Sequence, residues 1–316
     1  MGLKLKECYS KKSTSGFVFL TLFFILVGLY YKYNSPSGKS YSTKFQNNKC
    51  GLILFLHINK CGGGTFKKWL KKHTTVLFQF QDTPRIKSLK QLGHGRWRSW
   101  NRHIPVANDF IGKIKPHTGW KAFHIHNAFP GLYYLQENVR NWKATVEDNG
   151  CIFHQTTILR DPLERFVSNV NFNNPKIDIE LFMESRINWL SRYLLFGLCG
   201  YHEKEVRCGY DRKGNFTITP LLDEHYKKEL KKMIGTFDSI GFTDSLGEHL
   251  ETIRRLTGWK DENPEEMETM KVHKSHEHFN LNGSLLKKFL RLNRDDYILY
   301  YTIKRNLEKK SKNNSL

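Results

Sequence analysis

Acidic side chains are scarce in this 316-residue chain: 30 Asp and Glu stand against 51 Lys and Arg, for a formal net charge of +21. The six cysteines contain no Cys-x-x-Cys pair, so a zinc ribbon or a thioredoxin-like centre has no support. There is no GxxxxGK[ST] loop and no Asp-x-Asp pair. Their absence argues against a nucleotide-dependent kinase and against a common metal-dependent glycosyltransferase. No heptad run or internal repeat stands out, which leaves coiled coils and solenoids without a signal. What remains is 39% hydrophobic and 14% aromatic, a globular composition with room for one sizeable α/β domain. A surface this basic attracts polyanions or phosphorylated ligands. Charge alone does not choose between nucleic acid, anionic membrane and acidic glycan.

One uncharged stretch narrows that choice. Gly16 to Tyr31 reads GFVFLTLFFILVGLYY and follows Lys4, Lys6, Lys11 and Lys12. It is short for a spanning helix, and no small-residue cleavage site follows it; Tyr30, Tyr31, Lys32 and Tyr33 stand there instead. The expectation is an uncleaved, single-pass type II membrane anchor over 16–33, with 1–15 as a cytosolic tail. Residues 34–48, rich in Ser, Asn, Lys and Gly, read as a stem, and 49–316 as a lumenal domain. That topology argues against a nucleic-acid partner. In an oxidising lumen disulfides are permitted, and Cys199 and Cys208, which bracket a short polar loop, are the candidate pair. Sequons begin at Asn215, Asn282 and Asn313.

Along the domain, Leu52–Ile58 is a continuous apolar run, as expected of a buried parallel strand. A glycine triplet ends it, and Thr65–His73 follows with helical spacing. Further strands are expected at 120–126, 151–159 and 237–242, and helices at 179–196, 223–233, 246–256 and 285–292. Asp161 and Pro162 read as the cap and first residue of another helix. Strands alternating with helices predict an α/β fold with a central parallel sheet.

Two segments carry the chemistry. The first is strand, then His57-Ile-Asn-Lys60-Cys-Gly62-Gly63-Gly64-Thr65-Phe66, then helix. Glycine backbone amides, a helix N-terminus and the Lys60 charge make an anion cradle. A glycine triplet alone is equally a tight strand–helix turn. The second is strand, then Thr157-Ile-Leu-Arg160-Asp-Pro-Leu-Glu-Arg165-Phe-Val-Ser168. An arginine fork leaving a buried strand, with Arg165 and Ser168 further on, suits a phosphate; alone, the segment is equally a capped helix with an Arg–Glu pair. His124 and His126 alternate on a strand, so both rings face one side, and both are candidates for a general base. A metal would need a third ligand, for which His117 and His154 are the available candidates without supporting spacing. The cluster His273-Lys-Ser-His-Glu-His278 also looks metal-like, yet a polar loop of this kind is more often solvated. The basic, aromatic stretches 96–102 and 113–121 read either as an acceptor cleft or as a solvated face over core tryptophans.

Taken together, the two segments resemble the 5′-phosphosulfate loop (HIPKTGGTSF) and the 3′-phosphate motif (ILRDPVERFLS) of the Golgi carbohydrate sulfotransferases. Heparan sulfate 2-O- and 6-O-sulfotransferases look most similar. Asn188–Leu194, Phe237–Trp259 and Asn293–Tyr300 also resemble family segments, so the likeness spans about Leu52 to Arg305. The resemblance implies a P-loop-like sulfotransferase fold and the co-substrate 3′-phosphoadenosine 5′-phosphosulfate (PAPS), with PAP as product. It implies that Lys60, Gly62, Gly63, Gly64 and Thr65 hold the phosphosulfate. Arg160 and Ser168 would clamp the 3′-phosphate, and His126 would serve as base with His124 in support. The acceptor would be a glycan or proteoglycan, and the scheme requires no metal. Cys61 and Gly64 stand where the family usually has threonine. The alternative expectation is a non-catalytic lumenal glycan-binding protein on the same fold.

Overall fold

The computed structural model describes residues 50–81, 104–126, 132–173, 178–184, 186–197, 224–260 and 281–313. The expected tail, anchor and stem lie outside these residues, as do the 96–102 stretch, Cys199, Cys208 and the 273–278 histidine cluster. No helix among the described residues is long and apolar enough to cross a membrane.

The strands are β1 (Gly51–His57), β2 (Val76–Gln81), β3 (Trp120–His126), β4 (Ile152–Leu159) and β5 (Ser239–Phe242). They form one parallel sheet in the order β2-β3-β1-β4-β5, an α/β architecture of Rossmann or P-loop-like type. The helices are α1 (Gly63–His73), α2 (104–112), α3 (Leu132–Asp148), α4 (Pro162–Asn173), α5 (Ile179–Glu184), α6 (Trp189–Phe196), α7 (Glu224–Ile234), α8 (Leu246–Thr257), α9 (Gly283–Leu292) and α10 (Arg294–Asn313).

Every residue of β1 is buried. The period of two explains why its sequence is apolar throughout: Leu52, Leu54 and Leu56 enter one core, Ile53 and Phe55 the other. The first core takes Ile111 from α2, Trp142 from α3, Leu190 from α6, Met233 from α7 and Tyr300 from α10. The second takes Phe66 and Trp69 from α1 and Leu250 and Ile253 from α8. Trp120 belongs to this second core, so it is a packing residue and not part of an acceptor cleft. Phe166, Met183 and Phe289 make a satellite core between α4, α5 and α9.

The helix expected over 179–196 is two helices. Asn188 adopts a left-handed conformation (φ 44°) and starts α6 afresh. Its carboxamide donates to Asp295 (3.0 Å) and accepts from the Asp295 amide (3.1 Å). Asp296 in turn accepts from the amides of Leu190 (2.7 Å) and Ser191 (2.8 Å) and from the Ser191 hydroxyl (2.7 Å). The stretches 188–194 and 293–300, both singled out in the sequence, thus cap one another's helices. Burial raises the Asp296 pKa, and the Ser191 hydrogen bonds oppose that rise.

A disulfide joins Cys50 to Cys151, the residues that precede β1 and β4. It ties the ends of those strands that lie away from the two chemical segments. Sequence spacing had pointed to Cys199 and Cys208 instead.

Candidate active site

In open parallel sheets a ligand crevice forms where successive crossovers diverge beyond the strands' C-terminal ends. Here α1, which follows β1, packs toward β3 and β2, whereas the chain after β4 leads to β5 on the other side. The divergence falls between β1 and β4, whose ends carry Lys60 and Arg160.

Five residues separate β1 from α1. Lys60 (φ 67°) and Gly62 (φ 73°) are both left-handed, and the Cys61 amide turns back to the Ile58 carbonyl at 3.3 Å. At Gly62 only glycine takes this conformation without strain. The Gly62 carbonyl accepts from the amides of Thr65 (3.1 Å) and Phe66 (3.2 Å). The amides of Gly63 and Gly64, first and second in the helix, have no helical acceptor. The first turn of α1 carries no acidic residue, so its positive end is uncompensated from within the helix. Cys61 is fully buried in the main core, and burial pushes its thiol up to about 12. Cysteine in place of threonine at 61 therefore removes no hydroxyl from the open side of the loop. Gly63 also makes room for a neighbour: a Cβ there would lie 2.0 Å from the His57 ring.

Arg160 leaves β4 and reaches back across the crevice. Its Nη1 donates to the Lys60 carbonyl at 3.4 Å, and its Nε pairs with Glu164 at 3.2 Å. Asp161 caps α4 as expected, accepting from the amides of Leu163 (2.9 Å) and Glu164 (3.2 Å). The Lys60 ammonium sits 4.0 Å from the centre of the exposed Phe172 ring. Burial first, and the Arg160 charge second, lower the Lys60 pKa. Ser168 is half-buried on α4. Arg165 is not a residue of the open crevice. It is 1% exposed, with its guanidinium 3.7 Å over the Trp189 ring.

Three imidazoles gather at the ends of β1 and β3. The parallel register sets His57 beside His126. By strand parity His57, His124 and His126 share the sheet face covered by α1. His57 Nδ1 and His124 Nε2 are hydrogen-bonded at 2.9 Å, and the His57 and His126 rings are 4.2 Å apart. The Tyr193 hydroxyl donates to the His57 carbonyl at 3.1 Å. Burial pushes His124 down to about 2 and His126 down to about 4, and also holds His57 well below the usual imidazole range. The neighbouring imidazoles and Lys67 add to the depression at His57 and His124, and Lys67 adds to it at His126. All three shifts favour the uncharged ring.

The structure thus brings Lys60, Gly62, Gly63, Gly64, Thr65 and Arg160 to one crevice, with Ser168 on the helix that leaves it. It sets His124 and His126 at the end of the adjoining strand. His57 was missed as a site residue. The signal was its place at the end of the first buried strand, but its meeting with His124 and His126 depends on β1 and β3 being neighbours. His117 is exposed, and His154 bonds to Ser239, so neither joins the group. In comparisons with known proteins, the chain matches no protein-family model and no curated sequence.

Proposed function

We propose that this chain is a PAPS-dependent carbohydrate O-sulfotransferase of the Golgi, on a P-loop-like sulfotransferase fold. One observation carries the reading. Arg160 and Lys60, a hundred residues apart in sequence, touch at the point where the sheet's crossovers diverge. That pairing sets a glycine-lined helix N-terminus, a lysine and an arginine together at the strands' C-terminal ends, with three imidazoles at the ends of β1 and the neighbouring β3.

In this reading the amides of Gly63 and Gly64, the Gly62 turn, Thr65 and Lys60 hold the 5′-phosphosulfate. Arg160 and Ser168 take the 3′-phosphate. The co-substrate supplies a sulfuryl group on a phosphate leaving group. His126 accepts the proton of the acceptor hydroxyl as its oxygen bonds to sulfur. The sulfur–oxygen bond to phosphate breaks, and its electron pair leaves with PAP. Lys60 balances the charge that gathers on the departing oxygen. The negative charge of the bound co-substrate raises the affinity of His126 for that proton. The net charge of +21 favours an acidic glycan or proteoglycan as acceptor. The Cys50–Cys151 bridge suits an oxidising lumen and the type II topology read from residues 1–48.

The test is retention of the full-length chain on immobilised PAP, followed by transfer from radiolabelled PAPS across a glycan panel. Wild type should be retained and should transfer. His126→Ala should be retained and inactive, and Lys60→Ala should be impaired in both. Loss of any specific retention by wild type would sink the proposal. Retention without transfer to any glycan would favour the non-catalytic glycan-binding alternative.

A further inference from the structure

We propose that His57, His124 and His126 form a binding site for a zinc-class transition-metal ion. One nitrogen from each ring lies within 4.8 Å of the other two, and two of the rings are buried while His126 is half-exposed. Nitrogen ligands on one tetrahedral zinc lie about 3.3 Å apart, given metal–nitrogen bonds of about 2.0–2.1 Å. The 2.9 Å pair of His57 and His124 is already near that spacing. The His126 nitrogen lies within 4.8 Å of the other two and would have to close to that spacing to complete the set. Three imidazoles with an open fourth position suit zinc, cobalt, nickel or copper better than magnesium or calcium, which prefer oxygen ligands.

An ion would replace the His57–His124 hydrogen bond, taking the two nitrogens that now share it. A neutral imidazole carries one donor and one acceptor. His57 and His124 share a single hydrogen bond, and His124 Nδ1, in a side chain only 1% exposed, has no partner among the described residues. The strands hold the group in place. The β1–β3 register fixes His57 beside His126, and Gly63 leaves room for the His57 ring. Lys67 is the nearby charge that opposes a dication. It argues for a site of moderate strength, one that a chelator empties.

Ion and proton compete for the same lone pair on His126. The effect on sulfate transfer therefore rests on the function proposed above, whereas metal binding itself does not.

The experiment uses the metal-free full-length chain, purified without a histidine tag. Zinc binding is measured by titration calorimetry, and cobalt binding by the visible absorption of a tetrahedral site. Wild type should bind one equivalent with tetrahedral cobalt bands. His57→Ala, His124→Ala and His126→Ala should each weaken binding by roughly 100-fold, at or beyond the loss seen when outer-shell partners are removed. Because His57 and His124 are buried and their variants can unfold, His126→Ala is the deciding variant. Zinc should raise the thermal midpoint of wild type and leave that of His126→Ala unmoved. No stoichiometric binding would overturn the proposal. So would binding unchanged by His126→Ala but abolished by replacing His273, His276 and His278 together. Retention on immobilised PAP, measured on the same samples, reports separately on the sulfotransferase reading.

Discussion

His154 and His249 lie on the same face of the sheet as His57, His124 and His126, with the Phe55–Phe66 contact between the two groups. Their surroundings differ. His154 Nε2 meets the Ser239 hydroxyl at 2.8 Å, Ser239 meets Thr156 at 2.9 Å, and Thr156 meets His249 Nε2 at 3.0 Å. Each of these imidazoles is held by a hydroxyl in a closed chain spanning β4, β5 and α8. The other three have mainly one another, at the open end of β1 and β3. Burial depresses the pKa in both groups, so depression alone does not mark a site. Location and hydrogen bonding separate the group proposed to act on a ligand from the group that ties strands and helix together.

The sharpest way to break this comparison is His126→Ala. Sulfate transfer should fall by roughly 10²–10⁴, the span of general acid–base catalysis, with PAP retention intact. Lys60→Ala should lower transfer by about 10²–10³, as for loss of one charge-stabilising donor, and should weaken PAP retention as well. Gly63→Ala attacks the open group sterically. Its Cβ would overlap the His57 ring, at a cost of about 1–3 kcal/mol in urea unfolding and with transfer lost among the molecules that still fold.

Changes in the closed group should behave otherwise. Thr156→Val leaves His249 Nε2 without its hydroxyl partner and Ser239 with His154 alone, and should cost roughly 1–3 kcal/mol in urea unfolding, while transfer per folded molecule is preserved. Equal loss of transfer in Thr156→Val and His126→Ala would erase the distinction drawn here. The smallest effect concerns pH. The folded pKa of His249 is about 3, against about 6.5 for an unperturbed imidazole. Between those values the unfolded chain binds the proton and the folded chain does not. The contribution of His249 is therefore fully present above about pH 6.5 and declines as pH falls toward 3. The thermal midpoint of His249→Leu should accordingly fall less steeply than that of wild type over this range.

Much of the scaffold could be read from the sequence. β1 was visible because a strand buried on both faces is continuously apolar, β3 and β4 as short runs rich in aromatic and β-branched residues, and α1, α7 and α8 because their apolar stripes are regular. The cap at Asp161 was legible because its chemistry is local. α3 was passed over although Leu132, Leu135, Val139, Trp142 and Val146 keep helical spacing and all five are buried. The break at Asn188 was invisible because Asp295 and Asp296, which stabilise it, come from a helix a hundred residues away. The same reason hid His57, whose neighbours follow from strand order, and demoted Arg165, whose burial against Trp189 is a tertiary fact.

The bridge between Cys50 and Cys151 sets a problem of timing. The partners are 101 residues apart, so at synthesis rates of about 5–20 residues per second Cys50 waits roughly 5–20 s for Cys151. Cys61 emerges about a second after Cys50 and is the nearer thiol along the chain. In the folded chain the seven residues of β1 span about 20 Å between Cys50 and the loop that carries Cys61, a length well beyond the reach of a disulfide. That separation holds only once β1 is paired, and its partners β3 and β4 both follow Cys61 in the sequence; in the folded chain the burial of Cys61 keeps its thiol away from the bridge.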